Sequence, residues 1–266
     1  MNNELDHLSY SSINAFLSCP ANWDFKYNKQ LPVKVSTNLL FGSAFHATVE
    51  QFISSKTAPA NKQFTLTECW QDNWNKQIIL DDKPREDINW KDETPESLCN
   101  LGIRMFESPA IQDGIRSITP AFNADGNAAI ETKVELHVPG VPVPIIGYID
   151  IMTPAGPADF KTSGKSWSTD KAENEMQPLF YLAALNQLGM TVPNWEFTHF
   201  VFVKTKTPQF QKITHRHNPS RCIWLFGMIR KVYLAIQSGA FNENPSSWLC
   251  SEMWCDYYSN CRGKYE

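Results

Sequence analysis

The chain has 266 residues, of which 42% are hydrophobic and 20% charged, enough apolar material for one large domain with a core of its own. No apolar run is long enough to cross a bilayer, and the opening MNNELDHLSYSS lacks a basic stretch followed by an apolar one, so an intracellular, cytoplasmic protein is expected. A formal net charge of -4 argues against a uniformly basic polyanion binder, and seven cysteines in such a chain predict metal ligands or packing residues rather than a disulfide framework.

From the N-terminus, LSYSSINAFLSCP predicts a short helix capped by Ser9 or Ser11, with Ile13, Phe16 and Leu17 on one face and Pro20 breaking or restarting it. FGSAFHATVEQFISS predicts a second helix with a stripe of Phe45, Val49 and Phe52, on which His46 and Glu50 stand four apart and share a face. Residues 55–125 read as a helical insertion, rich in Trp and Glu and weakly patterned. Strands follow: AIETKVELHV, then PIIGYIDIM, then ADFKT, the last two separated by a Pro/Gly turn at residues 153–157. Residues 173–188 predict one helix with Pro178 in its first turn and Gln177 and Tyr181 four apart. WEFTHFVFVKTK predicts a central strand, QKITHRH its partner, and Asn218 or Ser220 the opening of a helix to about Gln237. The tail, residues 245–266, reads as a Cys/aromatic loop. This order predicts an α/β fold: a mixed central sheet flanked by helices, a single domain over residues 1–266.

Asp150, Asp159 and Lys161 interrupt the two central strands. Desolvating an ionised group costs several kcal/mol without a partner, so bare charges there require a reason. Asp159 and Lys161 are two apart and project from one face, while hairpin pairing brings Asp150 beside Asp159. Two facing carboxylates repel unless a divalent cation lies between them, and magnesium or manganese suits oxygen ligands. A lysine beside such an ion can hold a water or stabilise charge building on a phosphate oxygen. Between Phe197 and Asn242 there is no Asp or Glu, whereas Lys204, Lys206, Lys212, Arg216, Arg221, Arg230 and Lys231 are basic, a one-sided field able to track a polyanion or simply a solvated face. Trp224 is an aromatic available there for stacking.

These residues resemble the PD-(D/E)XK nuclease superfamily, in which an Asp ends one core strand, as in GYID, and a (D/E)-x-K triplet lies on the next, as in DFKTS. SYSSINAFLSCP and FGSAFHATVEQF look like the N-terminal serine/cysteine and histidine motifs of the RecB-like branch. IETKVEL and QPLFY look like its glutamate and Q-x-x-x-Y motifs. The resemblance implies a metal held by His46, Asp150, Asp159 and the backbone carbonyl of Phe160, with Lys161 as the catalytic lysine, Glu131 supporting the metal shell, and Gln177 and Tyr181 positioning the strand or the lysine. It also implies Mg2+ or Mn2+ as cofactor, and cleavage of DNA, as single strands or duplex ends, to 5'-phosphate products. Lys204, Lys206, Lys212, Arg216 and Arg221 would hold the strand. A non-cleaving binding or scaffolding subunit and a restriction-like endonuclease are the competing readings. A stand-alone enzyme of bacterial or phage recombination, repair or CRISPR adaptation, with protein partners in those processes, is the implied setting.

Cys69, Cys99 and Cys222 stand singly in helical patterns and read as packing residues. Cys19, Cys250, Cys255 and Cys261 resemble the one-plus-three arrangement with which RecB-like and CRISPR-associated nucleases clip their chain ends by a 4Fe-4S cluster. The same thiols suit zinc, and unliganded thiols are the third reading.

Overall fold

The runs of β-branched and aromatic residues between Ile130 and Arg216 assemble the sheet, and the segments before and after supply the helices that cover it. The computed structural model describes residues 5–56 and 64–265. Along the chain, β1 (Leu8–Ser9) leads into α1 (Tyr10–Ser18) and α2 (Pro20–Trp23), and β2 (Val35–Ser36) into α3 (Thr37–Lys56). Then come α4 (Leu66–Ile78), the two-residue strands β3 (Ile79–Leu80), β4 (Lys83–Pro84) and β5 (Ile88–Asn89), α5 (Pro95–Glu107) and α6 (Pro109–Arg116). The central strands are β6 (Ile130–Leu136), β7 (Ile145–Thr153) and β8 (Gly156–Ser163). After α7 (Thr169–Asn174) and α8 (Gln177–Gln187) come β9 (Glu196–Val203), β10 (Gln209–Arg216) and α9 (Arg221–Gln237). Ser9 caps α1 by accepting the N–H of Ser12, whose hydroxyl in turn accepts the N–H of Ser9, so two of the orphan donors at that helix start are satisfied.

Pairing around β7 sets the architecture. β6 runs antiparallel along one edge, from Ile130↔Ile151 to Leu136↔Ile145. β8 pairs antiparallel with β7 only at Ile151↔Ala158, Met152↔Pro157 and Thr153↔Gly156. β1 pairs in parallel at Leu8↔Ile145 and Ser9↔Ile146. Leu136 already occupies one edge of Ile145, so β1 must share the opposite edge with β8. The sheet therefore forks between Ile146 and Ile151: β1 closes one arm, while β8 departs to pair in parallel with β9, and β9 antiparallel with β10. This is the mixed, helix-flanked sheet that the element order predicts.

Two apolar layers hold it. On one side α1, α8 and α9 pack Ile13, Phe180, Leu182, Leu225 and Ile229 against Val134, Leu136 and Ile145. On the other, α3 to α6 pack Phe41, Phe45, Trp70 and Phe106 against Ile151, Phe160, Phe200 and Phe202. The helices expected within residues 55–125 thus supply much of the second layer; residues 57–63 lie outside the described residues.

Two local expectations change. Residues 173–188 form not one helix but the end of α7 and then α8, because Pro178 has no N–H to continue a ladder from Asn174, although a first turn tolerates it. The hairpin turn is tighter than residues 153–157, since β8 already begins at Gly156, whose φ of +137° and close approach to the carbonyl of Glu196 (3.1 Å from an added Cβ) suit glycine. Gly147 has a different task. A Cβ there would stand 2.5 Å from Phe180 and 2.8 Å from Tyr181, so the missing side chain lets α8 lie against β7. Gly147→Ala is expected to lose about 1–3 kcal/mol through overpacking, read as a lowered melting temperature; an unchanged melt would show that α8 can yield.

Candidate active site

The fork brings the charged residues together, and both strands beside it are kinked there. Ile149 faces the α8 layer and Ile151 the α3 layer, although residues two apart on a regular strand share a face. β6 shows the same switch: Ile130 packs on the α3 side, Val134 and Leu136 on the other, and Glu131 between them has φ of +48°. Glu131 and Asp150 lie between the pairs Ile130↔Ile151 and Thr132↔Ile149, Asp150 and Asp159 flank the pair Ile151↔Ala158 where β7 and β8 part, and Asp159 pairs with His199 of β9. Three acids and a histidine thus form one row across four strands.

Backbone groups released by the fork are recaptured by this row and its neighbours. The Phe160 N–H donates to Asp150 Oδ2 at 2.6 Å, and the Tyr148 carbonyl accepts the hydroxyl of Tyr181. Lys161 Nζ lies 2.8 Å from Asp159 Oδ2 and donates to Gln177 Oε1 at 2.9 Å. Gln177 Nε2 donates to Tyr181 Oη at 3.1 Å. The carbonyl of Tyr148 fixes the Tyr181 hydroxyl, the hydroxyl fixes the Gln177 amide, and the amide oxygen together with Asp159 aims the ammonium. His46 reaches the row from α3, with Nδ1 3.7 Å from Asp150 Oδ2 and its ring edge against Phe160.

Burial and like charge decide the protonation states. Asp150 is pushed up to about 9, by burial first and then by Asp159. Asp159 is also raised by burial, against the pull of Lys161. Glu50 rises to about 7 through burial and then the charge of Glu131. Glu131, whose side chain reaches solvent, is raised by partial desolvation and then by Asp159. Burial would lower Lys161, but Asp159 and then Asp150 more than offset it and keep it an ammonium. His46 falls to about 3, by burial and then by Lys161, so its imidazole is neutral and able to ligate.

Among the described residues no three His, Cys, Asp or Glu side chains are gathered around one point, because His46 closes on Asp150 and Lys161 on Asp159. The donor set nonetheless fits a hard divalent cation: the largely buried carboxylates of Asp150 and Asp159 lie beside the neutral imidazole of His46, and a single lysine leaves these acids short of positive charge.

The remaining predicted residues are dispersed. Lys204 is half-buried, donates to Asn38 Oδ1 at 2.7 Å and lies over the Phe41 ring, so it braces α3. Lys212 and Arg216 are exposed on one face of β10, with Lys206 before the strand and Arg221 opening α9, a spread of roughly 27 Å along the strand alone. Trp224 is half-exposed beside Arg221. Cys19, Cys250, Cys255 and Cys261 line one cavity between the start of α2 and the tail, with Asn22, Phe25 and Leu249. Cys69 is buried and Cys99 and Cys222 half-buried, in keeping with packing roles.

Sequence reasoning missed His199 and Tyr10. His199 is buried, with neither ring nitrogen hydrogen-bonded among the described residues, and only the parallel pairing of β8 with β9 reveals it as the neighbour of Asp159. Tyr10 stacks on Phe180 at the end of β1, its hydroxyl pushed up by burial and then by Glu175; an aromatic beside a helix cap carries no signal of that place.

Comparison with known proteins agrees with this geometry. The chain is similar over 98% of its length to 89% of a crystallised "Putative exonuclease" from Eubacterium rectale, with a TM-score of 0.58 at 13% identity, a likeness of fold. No curated protein matches it. The family description of the PD-(D/E)XK nuclease superfamily matches residues 7–262. With the acids and the lysine standing on adjoining strands of the forked sheet, the chain belongs to the PD-(D/E)XK nuclease superfamily.

Proposed function

We propose that the chain is a divalent-metal-dependent deoxyribonuclease, an exonuclease on single-stranded DNA or duplex ends that leaves 5'-phosphate products. The observation that carries this is the row of acids beside a lysine aimed by Gln177 and Tyr181. His46, Asp150, Asp159 and the Phe160 carbonyl would hold Mg2+ or Mn2+, with Glu131 in support. Such an ion supplies Lewis acidity and makes water a better nucleophile. Lys161 stays protonated against Asp159, so its N–H can orient the attacking water and stabilise charge developing on a phosphate oxygen. Lys206, Lys212, Arg216 and Arg221 would track the strand, and Lys204 would steady the helix that presents His46. No described helix is long and apolar enough to cross a membrane.

The test is digestion of end-labelled linear DNA and covalently closed circles with manganese. Loss of linear substrate from its ends supports the proposal; cutting of closed circles makes the protein a restriction-like endonuclease, and binding without cleavage under any divalent metal makes it a scaffold. Asp150 must lose its proton to take a cation, and its carboxyl is pushed up to about 9. Manganese affinity is therefore expected to strengthen as pH rises from about 4 to about 9, by up to tenfold per unit for one released proton. Calorimetric titrations at two pH values would check this, and equal affinities would remove Asp150 from the ligands.

The four cysteines around the chain-end cavity support a 4Fe-4S clip, which would hold Cys19 to a tail already tied there by the Asn244 side chain donating to the Ser18 carbonyl at 3.0 Å. Anaerobic purification is expected to yield a brown protein with about four iron and four sulfide, both lost in Cys255→Ala. Zinc alone would keep the clip and remove the cluster, and no metal would remove both. The DNA chemistry suits recombination, repair or CRISPR adaptation.

A further inference from the structure

The last long helix is apolar on two opposite sides. Leu225, Ile229, Val232 and Ile236 of α9 are buried against the sheet and α8. On the far side Ile223 is 79% exposed and Leu234 56%, with Gly227 on the same line, a stripe at i, i+4 and i+11. Gly227 has no internal reason to be glycine. It lies inside the helix, where glycine costs about 1 kcal/mol relative to alanine, and among the described residues nothing stands within 4 Å of a Cβ added there. An open glycine one turn from Ile223 and two turns from Leu234 is what close approach of a second helix needs.

Exposed Arg230 stands on this line between Gly227 and Leu234, exposed Lys231 lies beside it, and α9 contains neither Asp nor Glu. A second copy of α9 would set these cations against their own kind. Nucleic acid would match the charge but has no use for Ile223, Leu234 or the missing Cβ. We propose that this face of α9 docks an acidic amphipathic helix of a partner protein, its apolar stripe laid over Ile223, Gly227 and Leu234 and its carboxylates on Arg230 and Lys231.

Trp224, 53% exposed at the edge of the stripe, reports the contact by its fluorescence. The probe is a synthetic Glu-rich amphipathic helical peptide. Its controls are a scrambled peptide of the same composition and a single-stranded oligonucleotide. The ordered peptide is expected to bind at least tenfold more tightly than the scrambled one, and to lose at least tenfold in affinity to Ile223→Glu and to Gly227→Leu. Leucine at 227 meets open space, so the melting temperature should not fall and weakened binding reads as a blocked approach. Three results would overturn the proposal: equal binding of the two peptides, binding indifferent to Gly227→Leu, or a concentration-dependent dimer abolished by Ile223→Glu. Loss of oligonucleotide rather than peptide binding in Ile223→Glu would assign the face to nucleic acid instead.

Discussion

Lys161→Met is expected to lower DNA cleavage by at least about 10²–10³-fold, the usual loss when one preorganised donor to a developing oxyanion is removed, while the protein stays folded and binds manganese. Nothing else described in the row can replace the ammonium: His46 is neutral, and the other members are acids or a buried histidine. Methionine fills the volume of the lysine stem but leaves Gln177 Oε1 and Asp159 without their partner. Gln177→Ala should show the same defect in smaller measure, because the lysine remains but is no longer aimed. Steady-state cleavage of end-labelled DNA, with thermal melts of each variant, would check both. Wild-type rates in Lys161→Met would sink the lysine chemistry and leave the acids as a binding site at most.

Asp150→Asn is expected to abolish cleavage and yet stabilise the metal-free protein. The folded pKa of about 9 lies above the ordinary 3.8, so the folded state holds a proton that the unfolded chain releases. Wild-type stability should therefore be highest at acid pH and fall as pH rises from about 4 to about 9. Asparagine keeps an oxygen to accept the Phe160 N–H but carries no charge beside Asp159, so this dependence should flatten. Near pH 8 the gain should be about 1–3 kcal/mol, a rise of several degrees in melting temperature. Manganese should raise the melting temperature of the wild type and not of the variant. A variant melting below wild type at pH 8 would mean that the carboxylate is stabilising, contrary to a row short of positive charge.

Much of the site was legible because its members lie close along the chain. Asp159 and Lys161 are two apart on one strand, Asp150 is one hairpin away, and Gln177 and Tyr181 share a helix face four apart. Periods of two and 3.6 convert such spacings into proximity without a fold. The two-layer cover was legible from the order of helical and strand segments. The split between α7 and α8 was also available, since Pro178 lacks the N–H that an unbroken helix would need.

The linear pattern of residue types sets the strands, their order, and the identity of the acids and the lysine, because those follow from local periodicity and from charge where charge is costly. Only the tertiary structure decided the fork at Ile146 to Ile151, the left-handed turn of the chain at Glu131, the place of His199 beside Asp159 and the gathering of four distant cysteines at one cavity. Each of these depends on which strand edges meet or on closing long loops of chain. Contacts across such separations are selected by the packing of the whole core and leave no periodic trace in the residues that make them.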